Sequence, residues 1–375
     1  MKNTSKHTAG KIGVGIIGAS PHRGWALTAH VPALKSLPGY EIRAVSTTRR
    51  ESAEAAARAF GAEQWFDNYQ ELVSSPKVDL VVVTVKVPHH FELVTAAIAA
   101  GKSVYCEWPL GNGLAEAVEI SERARKSGVR GAVGLQARSA PLVNNVRDLV
   151  RDGFVGEVLS TTLIGSVRGW GPETDQSSSY LVDARNGATL LTIPFGHTVD
   201  ALCYCLGEFT ELTATTATRR PIVRLSGTDE TIPMTAADQV AVTAVVEGGA
   251  VASLHYRGGL SRRTGLLWEI NGTEGDLRLT APTGHAQLTQ LCLFGGRDDD
   301  RTLQPLTVLD SYRHVPGDLP VPAVNVAEAY VRLENDLRDG TNSCPTFDDA
   351  VQLHRLLAAI EETAATGKRR SLASK

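Results

Sequence analysis

A short apolar strand that ends in a glycine-controlled turn constrains the fold of this chain more than any other segment. Residues 12–17 read Ile-Gly-Val-Gly-Ile-Ile, a run typical of a strand that is covered on both faces. Gly18 follows where the chain must turn, and a helix is predicted from Trp25 onward. The backbone N–H groups of residues 19–24 would then face a pyrophosphate at the positive end of that helix. The segment therefore predicts a dinucleotide site.

The glycines of this segment fit the dinucleotide fingerprint in two registers. Residues 13–18 match G-x-G-x-x-G letter for letter, but that register starts the strand in the polar residues 7–11 and exposes Ile16 and Ile17 in a turn. We prefer the register that begins at Gly18, with Ser20 at the second glycine position and one extra residue before Gly24. An ordinary turn without a ligand is the alternative, because a glycine loop alone is weak evidence.

Strands and helices alternate through the first third of the chain. This alternation predicts a doubly wound α/β fold with a parallel sheet and its ligand at the carboxyl ends of the strands. We assign residues 1–11 to a flexible tail and residues 12–136 to a dinucleotide-binding Rossmann domain. After the first strand, the predicted strands are Tyr40–Ser46, Leu80–Val85, Ser103–Glu107 and Arg130–Leu135, and the predicted helices are Glu51–Phe60, His89–Ala100 and Leu114–Ser127.

Beyond Gln136 the pattern changes from alternating elements to strands. Residues 137–375 are predicted to form an α+β domain with a mostly antiparallel sheet. This domain includes a long surface excursion over 295–324 and closing helices over 326–339 and 347–366. The closing helices can pack back on the first domain. The free face of such a sheet suggests a homodimer or homotetramer. The segments behind this prediction are a helix over Pro141–Asp152 and strands over Val158–Val167, Gln239–Glu247, Val251–Tyr256, Leu266–Asn271 and Asp276–Leu279.

The turn after the second strand bears on the choice of cofactor. An acidic residue there would bind a ribose 2′-hydroxyl, but the chain has Ser46, Thr47, Thr48, Arg49 and Arg50. Hydroxyl groups followed by two guanidinium groups suit a 2′-phosphate, so we expect NADP(H), with NAD(H) as the alternative cofactor. The competing interpretation is that the two arginines only begin a surface helix.

Two further segments carry groups suited to chemistry. Residues 106–110, Cys-Glu-Trp-Pro-Leu, end a predicted parallel strand where ligands are expected. His197 lies near the start of a helix, and an imidazole that titrates near neutrality can exchange the proton of a hydroxyl group. Asp200 lies on the same helix face and could fix the histidine tautomer, or could instead contact Arg138 or a helix end. A hydrogen-bonded histidine at a helix end is the structural alternative for His197.

Composition narrows the classes of partner. The 38 basic and 41 acidic residues give a net charge of -3, so no basic field indicates nucleic-acid binding. The five cysteines have no metal-ligand spacing, so we expect reduced, buried thiols and no metal. No apolar run reaches the roughly 18 residues of a membrane span. We therefore expect a soluble, cytoplasmic protein that binds neither nucleic acid nor membranes.

Four motifs together resemble the glucose–fructose oxidoreductase, inositol dehydrogenase and MocA family. They are Gly15-Ile-Ile-Gly18, Cys106-Glu-Trp-Pro109, Gly134-Leu-Gln-Ala-Arg138 and the Gly-His-x-x-Asp segment that ends at Asp200. The likeness spans the chain after the tail. Within the family the chain looks most similar to the branch of the fungal galactose-regulon repressor, through Gly24-Trp-Ala26, Glu107-Trp108, Leu135-Gln136 and residues 195–200.

The resemblance implies an NAD(P)-dependent oxidoreductase that acts on a hydroxyl or carbonyl of a sugar, polyol or related cyclic small molecule, with His197 as the catalytic residue. Besides residues 47–50, the expected cofactor-binding residues are Gly18, Ala19, Ser20, Gly24, Trp25, Val85, Val87, His90, Glu107, Trp108 and Gln136. The expected substrate-binding residues are Trp108, Arg138, Trp170, Tyr180, Thr192 and His197.

Two departures from the family pattern leave a second hypothesis open. Trp108 replaces the family's lysine, which would orient the reacting oxygen, and Ile193 replaces an aspartate four residues before His197. Trp108 could still form a wall against a nicotinamide or sugar ring. The alternative function is a catalytically inactive NAD(P)-sensing regulator that binds a protein partner.

Overall fold

The computed structural model describes residues 10–262 and 265–372, and these form two compact units. The first unit comprises the chain up to Ser139 together with Arg313–Gln352, and the second comprises Ala140–Tyr312 together with the chain from Leu353 onward. Residues 1–9 of the predicted tail lie outside the described residues. None of the described helices combines the length and the apolar character that a bilayer crossing requires.

The first unit is built on a parallel sheet of six strands. Its strand order is β3-β2-β1-β4-β5-β6, with every neighbouring pair parallel, as the alternation of strands and helices predicts. The elements up to Gly134 are β1 Ile12–Ile17, α1 Val31–Ser36, β2 Tyr40–Ser46, α2 Arg50–Phe60, β3 Gln64–Phe66, α3 Tyr69–Ser74, β4 Leu80–Val83, α4 His90–Ala99, β5 Ser103–Glu107, α5 Leu114–Ser127 and β6 Gly131–Gly134.

The register that begins at Gly18 is confirmed. All six residues of β1 are buried, and Gly18 then turns the chain with a φ of 92°. The two earlier glycines serve packing inside the strand. A Cβ on Gly13 would lie 2.1 Å from the carbonyl oxygen of Lys77, and one on Gly15 would lie 2.8 Å from a methyl group of Leu72. These glycines are therefore explained by the close approach of neighbouring segments to β1.

The second unit contains most of the remaining elements. From residue 141 to residue 305 they are α6 Pro141–Arg151, β7 Val158–Val167, β8 Glu173–Thr174, α7 Gly196–Leu206, β9 Phe209–Ala217, β10 Ile222–Leu225, β11 Thr231–Pro233, β12 Gln239–Val246, β13 Val251–Gly258, β14 Leu266–Gly272, β15 Gly275–Ala281, β16 Cys292–Arg297 and β17 Gln304–Pro305. The closing elements of the chain are α8 Val321–Asp339, α9 Phe347–Thr366 and β18 Arg370–Ser371.

The large sheet of the second unit has nine strands in the order β17-β16-β15-β14-β7-β13-β12-β9-β18. Only β7 and β13 pair in parallel, so the predicted antiparallel character is confirmed. Along β13 exposed and buried residues alternate strictly, which is the pattern of a sheet that is covered on one face. Val251 on β13 is 53 % exposed, as is Leu159 on β7. A smaller sheet contains β11, β10 and β8.

Some predicted boundaries were wrong. The excursion predicted over 295–324 contains the end of β16 and all of β17, and its residues from Arg313 onward belong to the first unit. The helix predicted from Trp25 begins with a π-helical turn over Ala26–His30, and a second π-helical turn, Leu191–Phe195, precedes α7. π-Helical turns are rare and often occur at functional sites.

Candidate functional site

The carboxyl ends of three neighbouring strands meet at the turn after β1. The N–H groups of Gly18 and Ala19 donate to the carbonyl oxygen of Ser46, at 2.9 and 3.4 Å. A Cβ on Gly18 would lie 2.8 Å from a methyl group of Val85 and 3.1 Å from the carbonyl oxygen of Thr84. The turn therefore fits closely between the ends of β2 and β4. This is the edge where a doubly wound sheet binds its nucleotide.

The turn itself uses some of the N–H groups that were expected to face a phosphate. Besides Ala19, Ser20 donates to the carbonyl oxygen of Gly18 at 3.0 Å, and His22 donates to the Ser20 hydroxyl at 3.4 Å. The expectation that every N–H from Ala19 to Gly24 points at a ligand is therefore wrong in this structure. The cause is that the loop closes on itself and on β2.

The residues expected to hold a 2′-phosphate lie at the end of β2. Thr48, Arg49 and Arg50 are exposed, and the Thr47 hydroxyl donates to the carbonyl oxygen of Arg49 at 2.9 Å. The Arg50 guanidinium lies 5.2 Å from the centre of the Trp65 ring on β3, a cation–π distance. The arginines thus stand beside the nucleotide edge of the sheet, with Arg50 held over an aromatic face.

A buried polar network surrounds Glu107, the last residue of β5. Nε2 of His30 lies 2.8 Å from the Glu107 carboxylate, and the Gln136 amide donates to both carboxylate oxygens at 2.9 and 2.7 Å. Nδ1 of His30 lies 2.7 Å from the hydroxyl of Tyr330 on α8. The Trp25 ring meets His30 edge-on, with 6.4 Å between ring centres. Three expected cofactor residues, Trp25, Glu107 and Gln136, are thus joined through His30, which the sequence analysis did not identify.

His90 is tied to the backbone on both sides of its ring. Nδ1 lies 2.7 Å from the carbonyl oxygen of Pro109, and Nε2 lies 3.0 Å from that of Val85. A neutral imidazole donates from only one nitrogen. Burial lowers the pKa of His90, so the ring holds one of these contacts as a donor and presents no free nitrogen to a ligand. It joins the segment after β4 to the segment of Trp108, which is 4 % exposed.

His197 is the second residue of α7 in the second unit. Its side chain is 4 % exposed, and Nδ1 is buried without a hydrogen-bond partner among the described residues. Burial, and secondarily the nearby His285, lower the pKa of His197 to about 3. The expectation that this imidazole titrates near neutrality is therefore wrong, because burial disfavours the charged form of the ring. Asp200 does not fix the tautomer through Nδ1.

The sequence analysis also missed His285, which lies in the loop after β15. Burial lowers the pKa of His285 to about 4, and its Nδ1 too is buried without a hydrogen-bond partner in the described chain. The neighbouring Gly284 carbonyl accepts from the Tyr256 hydroxyl at 3.0 Å and from the Thr198 hydroxyl at 3.5 Å. These contacts attach the loop to the start of α7. The single histidine in a loop gave no periodic signal that could have identified it.

Three expected substrate residues lie in the second unit, between β7 and α7. Trp170 has a φ of 53°, a conformation that bulky residues rarely adopt, and its ring N–H donates to the carbonyl oxygen of Leu181 at 2.9 Å. Tyr180 is adjacent to that acceptor, and burial raises its pKa. Thr192, in the second π-helical turn, donates to the carbonyl oxygen of Gly187 at 2.7 Å. Strain of this kind often marks a ligand site.

The remaining expected substrate residue, Arg138, belongs to the first unit. Its guanidinium forms an ion pair with Asp349 at 3.1 Å, and the side chain of Arg138 is 15 % exposed. The pair lowers the pKa of Asp349 against the opposing effect of burial. Arg138 is thus paired with an acid on α9.

Comparison with known proteins identifies relatives for both units. Residues 12–135 match the model of an oxidoreductase family with an NAD-binding Rossmann fold, and residues 141–281 match the C-terminal domain of Gal80p. The dehydrogenase aclE of Aspergillus oryzae is 32 % identical over 96 % of this chain and 97 % of its own length. The galactose/lactose metabolism regulatory protein GAL80 of Saccharomyces cerevisiae is 27 % identical over 78 % of this chain and 72 % of its own.

Solved structures show the same fold. A super-repressor mutant of Gal80p from Saccharomyces cerevisiae superposes with a TM-score of 0.87 at 24 % identity, covering 97 % of this chain and 99 % of that one. A levoglucosan dehydrogenase in complex with NADH and levoglucosan superposes with a TM-score of 0.83 at 22 % identity, covering 97 % of this chain and 100 % of that one. Enzymes and a regulator therefore share this architecture.

Proposed function

Because the chain belongs to the glucose–fructose oxidoreductase, inositol dehydrogenase and MocA family of oxidoreductases, we propose that it is an NADP(H)-linked enzyme acting on a hydroxyl or carbonyl group of a sugar, polyol or related cyclic compound. Relatives named levoglucosan dehydrogenase and D-apiose dehydrogenase support a carbohydrate-like substrate. The levoglucosan dehydrogenase was solved with NADH, which supports a nicotinamide cofactor without deciding between the two forms.

The observation that carries the proposal is the close meeting of Gly18 with the ends of β2 and β4. Residues 47–50 follow β2 beside this turn, and the exposed Arg49 and Arg50 stand where an NAD-specific site would have an acid. A guanidinium binds a phosphate through two parallel hydrogen bonds, and its positive charge attracts the 2′-phosphate, which a carboxylate would repel. These residues support NADP(H) over NAD(H).

In the proposed reaction the bound nicotinamide supplies or accepts the hydride, and the protein positions the substrate and moves the proton. His197 is neutral at physiological pH, so one ring nitrogen can accept the proton of a substrate hydroxyl. A pKa of about 3 makes the free imidazole a weak base. Substrate binding must therefore stabilise the imidazolium form of His197. Otherwise the proton must pass from His197 to another acceptor while the carbonyl forms.

The replacements of the family's lysine and aspartate shape this mechanism. Trp108 carries no charge to stabilise a developing alkoxide, and Ile193 cannot share a proton with His197. Trp108 is almost fully buried, and an indole ring is flat and apolar, which is the kind of group that packs against a nicotinamide or sugar ring. We therefore expect slower turnover than in enzymes that keep both residues, and a larger share of the rate acceleration to come from positioning.

A regulatory function is the second candidate, and one observation favours it. The second unit matches the C-terminal domain of Gal80p, and the two proton-handling replacements would suit a protein that senses NAD(P) without turnover. The exposed face of β13 and its neighbours would then bind a protein partner. For either function we propose that the same face mediates a homodimer or homotetramer.

Cofactor titration tests the proposal directly. The purified protein is titrated with NADPH and with NADH, following quenching of tryptophan fluorescence, and is then incubated with NADP⁺ and a panel of sugars and polyols. We expect tighter binding of NADPH and formation of reduced cofactor with at least one member of the panel. Tight binding together with a protein partner and no reduction by any member would favour the regulatory function.

A further inference from the structure

His285, in the loop after β15, carries an imidazole that the proposed reaction leaves unused. Its side chain is half-buried, and its ring forms no hydrogen bond with any residue that the structure describes. The same holds for the ring of His197, and Nδ1 of both rings is buried. By contrast, His30 and His90 of the first unit each contact a partner through both ring nitrogens. Two imidazoles of the second unit therefore have hydrogen-bonding groups that the described chain does not use.

Buried polar atoms without a partner are few in native proteins. Such an atom has lost its hydrogen bonds to water and has gained none from the protein, so it is unfavourable unless strain or function explains it. Because the side chain of His285 is only half-buried, a small molecule can still reach its ring. The unpartnered rings of His197 and His285 therefore indicate a polar ligand.

The backbone on both sides of His285 is fixed by hydrogen bonds. The Gly284 N–H donates to the carbonyl oxygen of Ser166, at the end of β7, at 2.8 Å. The carbonyl oxygen of His285 accepts the N–H of Leu288 at 3.0 Å. A Cβ on Gly284 would lie 2.9 Å from the backbone nitrogen of Ser166, so the loop lies tightly against β7. The main chain thus positions His285, and its ring takes no part in holding the loop.

The same loop is attached beside His197. The carbonyl oxygen of Gly284 accepts from the hydroxyl of Thr198, the residue after His197, at 3.5 Å. It also accepts from the hydroxyl of Tyr256 at 3.0 Å. Tyr256 is fully buried, on the covered face of β13. The residue before His285 and the residue after His197 are thereby joined on the covered face of the large sheet.

Both rings are neutral at physiological pH. Burial lowers the pKa of His285 to about 4, and burial together with the nearby His285 lowers the pKa of His197 to about 3. A positive charge on one ring therefore disfavours a positive charge on the other. When His197 accepts a proton, His285 stays neutral, and a neutral imidazole offers one donor and one acceptor. Such a group suits an uncharged hydroxyl.

We propose that His285 is a substrate-binding residue that forms a hydrogen bond with the hydroxyl group next to the one that reacts at His197. Because the segments of the two histidines are joined, the oxygens that they contact must lie close together, as on neighbouring carbons of a ring. The inference rests on the proposed function and narrows its substrate class to cyclic compounds with two neighbouring hydroxyl groups. A compound with a single hydroxyl would leave His285 without a partner and would bind more weakly.

Modification by diethyl pyrocarbonate tests the inference without turnover, because this reagent acylates neutral, accessible imidazoles. The protein with NADP⁺ is treated alone, with cis-1,2-cyclohexanediol, levoglucosan or myo-inositol, and with cyclohexanol, and peptide mass spectrometry gives the rate at each histidine. We expect at least one of the three compounds with neighbouring hydroxyls to slow the modification of His197 and His285 together, at least about fivefold at high concentration, and cyclohexanol to slow it less. The rate at the exposed His255 should not change.

Replacing His285 tests the hydrogen bond itself. The protection of His197, measured against the concentration of the most effective compound, gives a dissociation constant in each variant. We expect His285→Leu to raise this constant about tenfold, and His285→Gln, whose neutral amide also donates and accepts, to restore most of the affinity. Gln290→Leu is the matched control, because Gln290 is exposed in the same loop. The dissociation constant for cyclohexanol should be the same in all four proteins.

The outcomes separate the function of His285 from the proposed reaction. Joint protection of both rings, with weaker binding in His285→Leu, supports the inference even if no compound reduces the cofactor, a result that would count against the oxidoreductase alone. Reduction by a compound that leaves the rate at His285 unchanged, or that binds His285→Leu as tightly as wild type, would overturn the inference and leave the enzyme.

Two further results would also overturn the inference. Equal losses of affinity for the diol and for cyclohexanol in His285→Leu would show that His285 has only a structural effect on the site. Failure of the reagent to modify His285, or of every compound to protect it, would show that no ligand of this class reaches the ring.

Discussion

Nε2 of His30 lies 2.8 Å from the carboxylate of Glu107, and the His30 side chain is completely buried. The two residues are 77 positions apart, yet this contact holds the last residue of β5 at the nucleotide edge of the sheet. The other His30 nitrogen meets the Tyr330 hydroxyl, so the ring has a partner on each side. Contacts within the first unit therefore hold Glu107, the residue before Trp108, in place.

Replacing His30 should therefore destabilise the first unit. In His30→Ala the Glu107 carboxylate keeps the Gln136 amide but loses its histidine partner, and the Tyr330 hydroxyl loses its contact with the imidazole. We expect the free energy of unfolding to fall by about 3 kcal/mol, the usual cost of breaking a buried pair. Urea unfolding followed by circular dichroism measures it, with the exposed His22→Ala as the control. Equal stability of the two variants would contradict the structural role of this contact.

The turn at Gly18 gives a matched pair of glycine substitutions. Gly18 and Gly24 both have positive φ, at 92° and 94°, but only a Cβ on Gly18 would collide with neighbouring atoms, those of Thr84 and Val85. We expect Gly24→Ala to cost about 1 kcal/mol through backbone strain alone. Gly18→Ala should cost more and should weaken dinucleotide binding. Similar melting temperatures and cofactor affinities for both variants would show that the turn does not fit against β4 as described.

Cofactor choice depends on the arginines after β2. Replacing Arg49 and Arg50 together with alanine should weaken NADPH binding by about tenfold or more, since a charge-assisted hydrogen bond contributes about 1.5–3 kcal/mol. NADH binding should change little. Arg58→Ala on the same helix is the control, because its partner is Glu54. A loss of equal size for both cofactors would remove the argument for NADP(H).

Acid should destabilise the protein through its buried histidines. Burial lowers the pKa of His354 to about 4, below its ordinary value of 6.5, as it lowers those of His197 and His285. Above pH 6.5 the ring is neutral in the folded and unfolded states alike. Between pH 6.5 and about 4 only the unfolded state binds the proton, so stability falls as the pH falls.

Each such histidine should contribute a slope of about 1.4 kcal/mol per pH unit in that window. Wild-type protein should therefore lose about 2 kcal/mol more than His354→Gln when the pH is lowered from 6.5 to 5. The exposed His255→Gln should keep the wild-type slope. Urea midpoints measured across this range supply the comparison, and parallel curves for all three proteins would show that His354 is solvated.

Local patterns predicted much of the first unit. The bounds of β2, β5 and α5 agree with the predictions to the residue, because apolar strands and helix-ending glycines leave clear signals in the sequence. The choice of Gly18 over Gly13 also followed from a local argument, the need to keep Ile16 and Ile17 inside the strand. β9 was missed because its alternate positions are mostly threonine and alanine, which carry little apolar contrast.

The site depended more on contacts between distant segments, and these the sequence could not supply. His30 and Tyr330, whose side chains meet at 2.7 Å, are 300 residues apart. The low pKa of His197 arises from burial and from His285, both of which are consequences of tertiary packing. Residue type alone suggested an imidazole that titrates near neutrality.

A single-turnover experiment tests the central claim, that His197 moves the substrate proton in a nicotinamide-linked oxidation. Stoichiometric protein and NADP⁺ are mixed with the panel of sugars and polyols, and reduced cofactor is followed by its absorbance. His197→Ala and the exposed His255→Ala are run in parallel. We predict reduction by wild type and His255→Ala, a rate at least about a hundredfold lower in His197→Ala, and unchanged cofactor affinity. Reduction at the wild-type rate in His197→Ala would contradict the account.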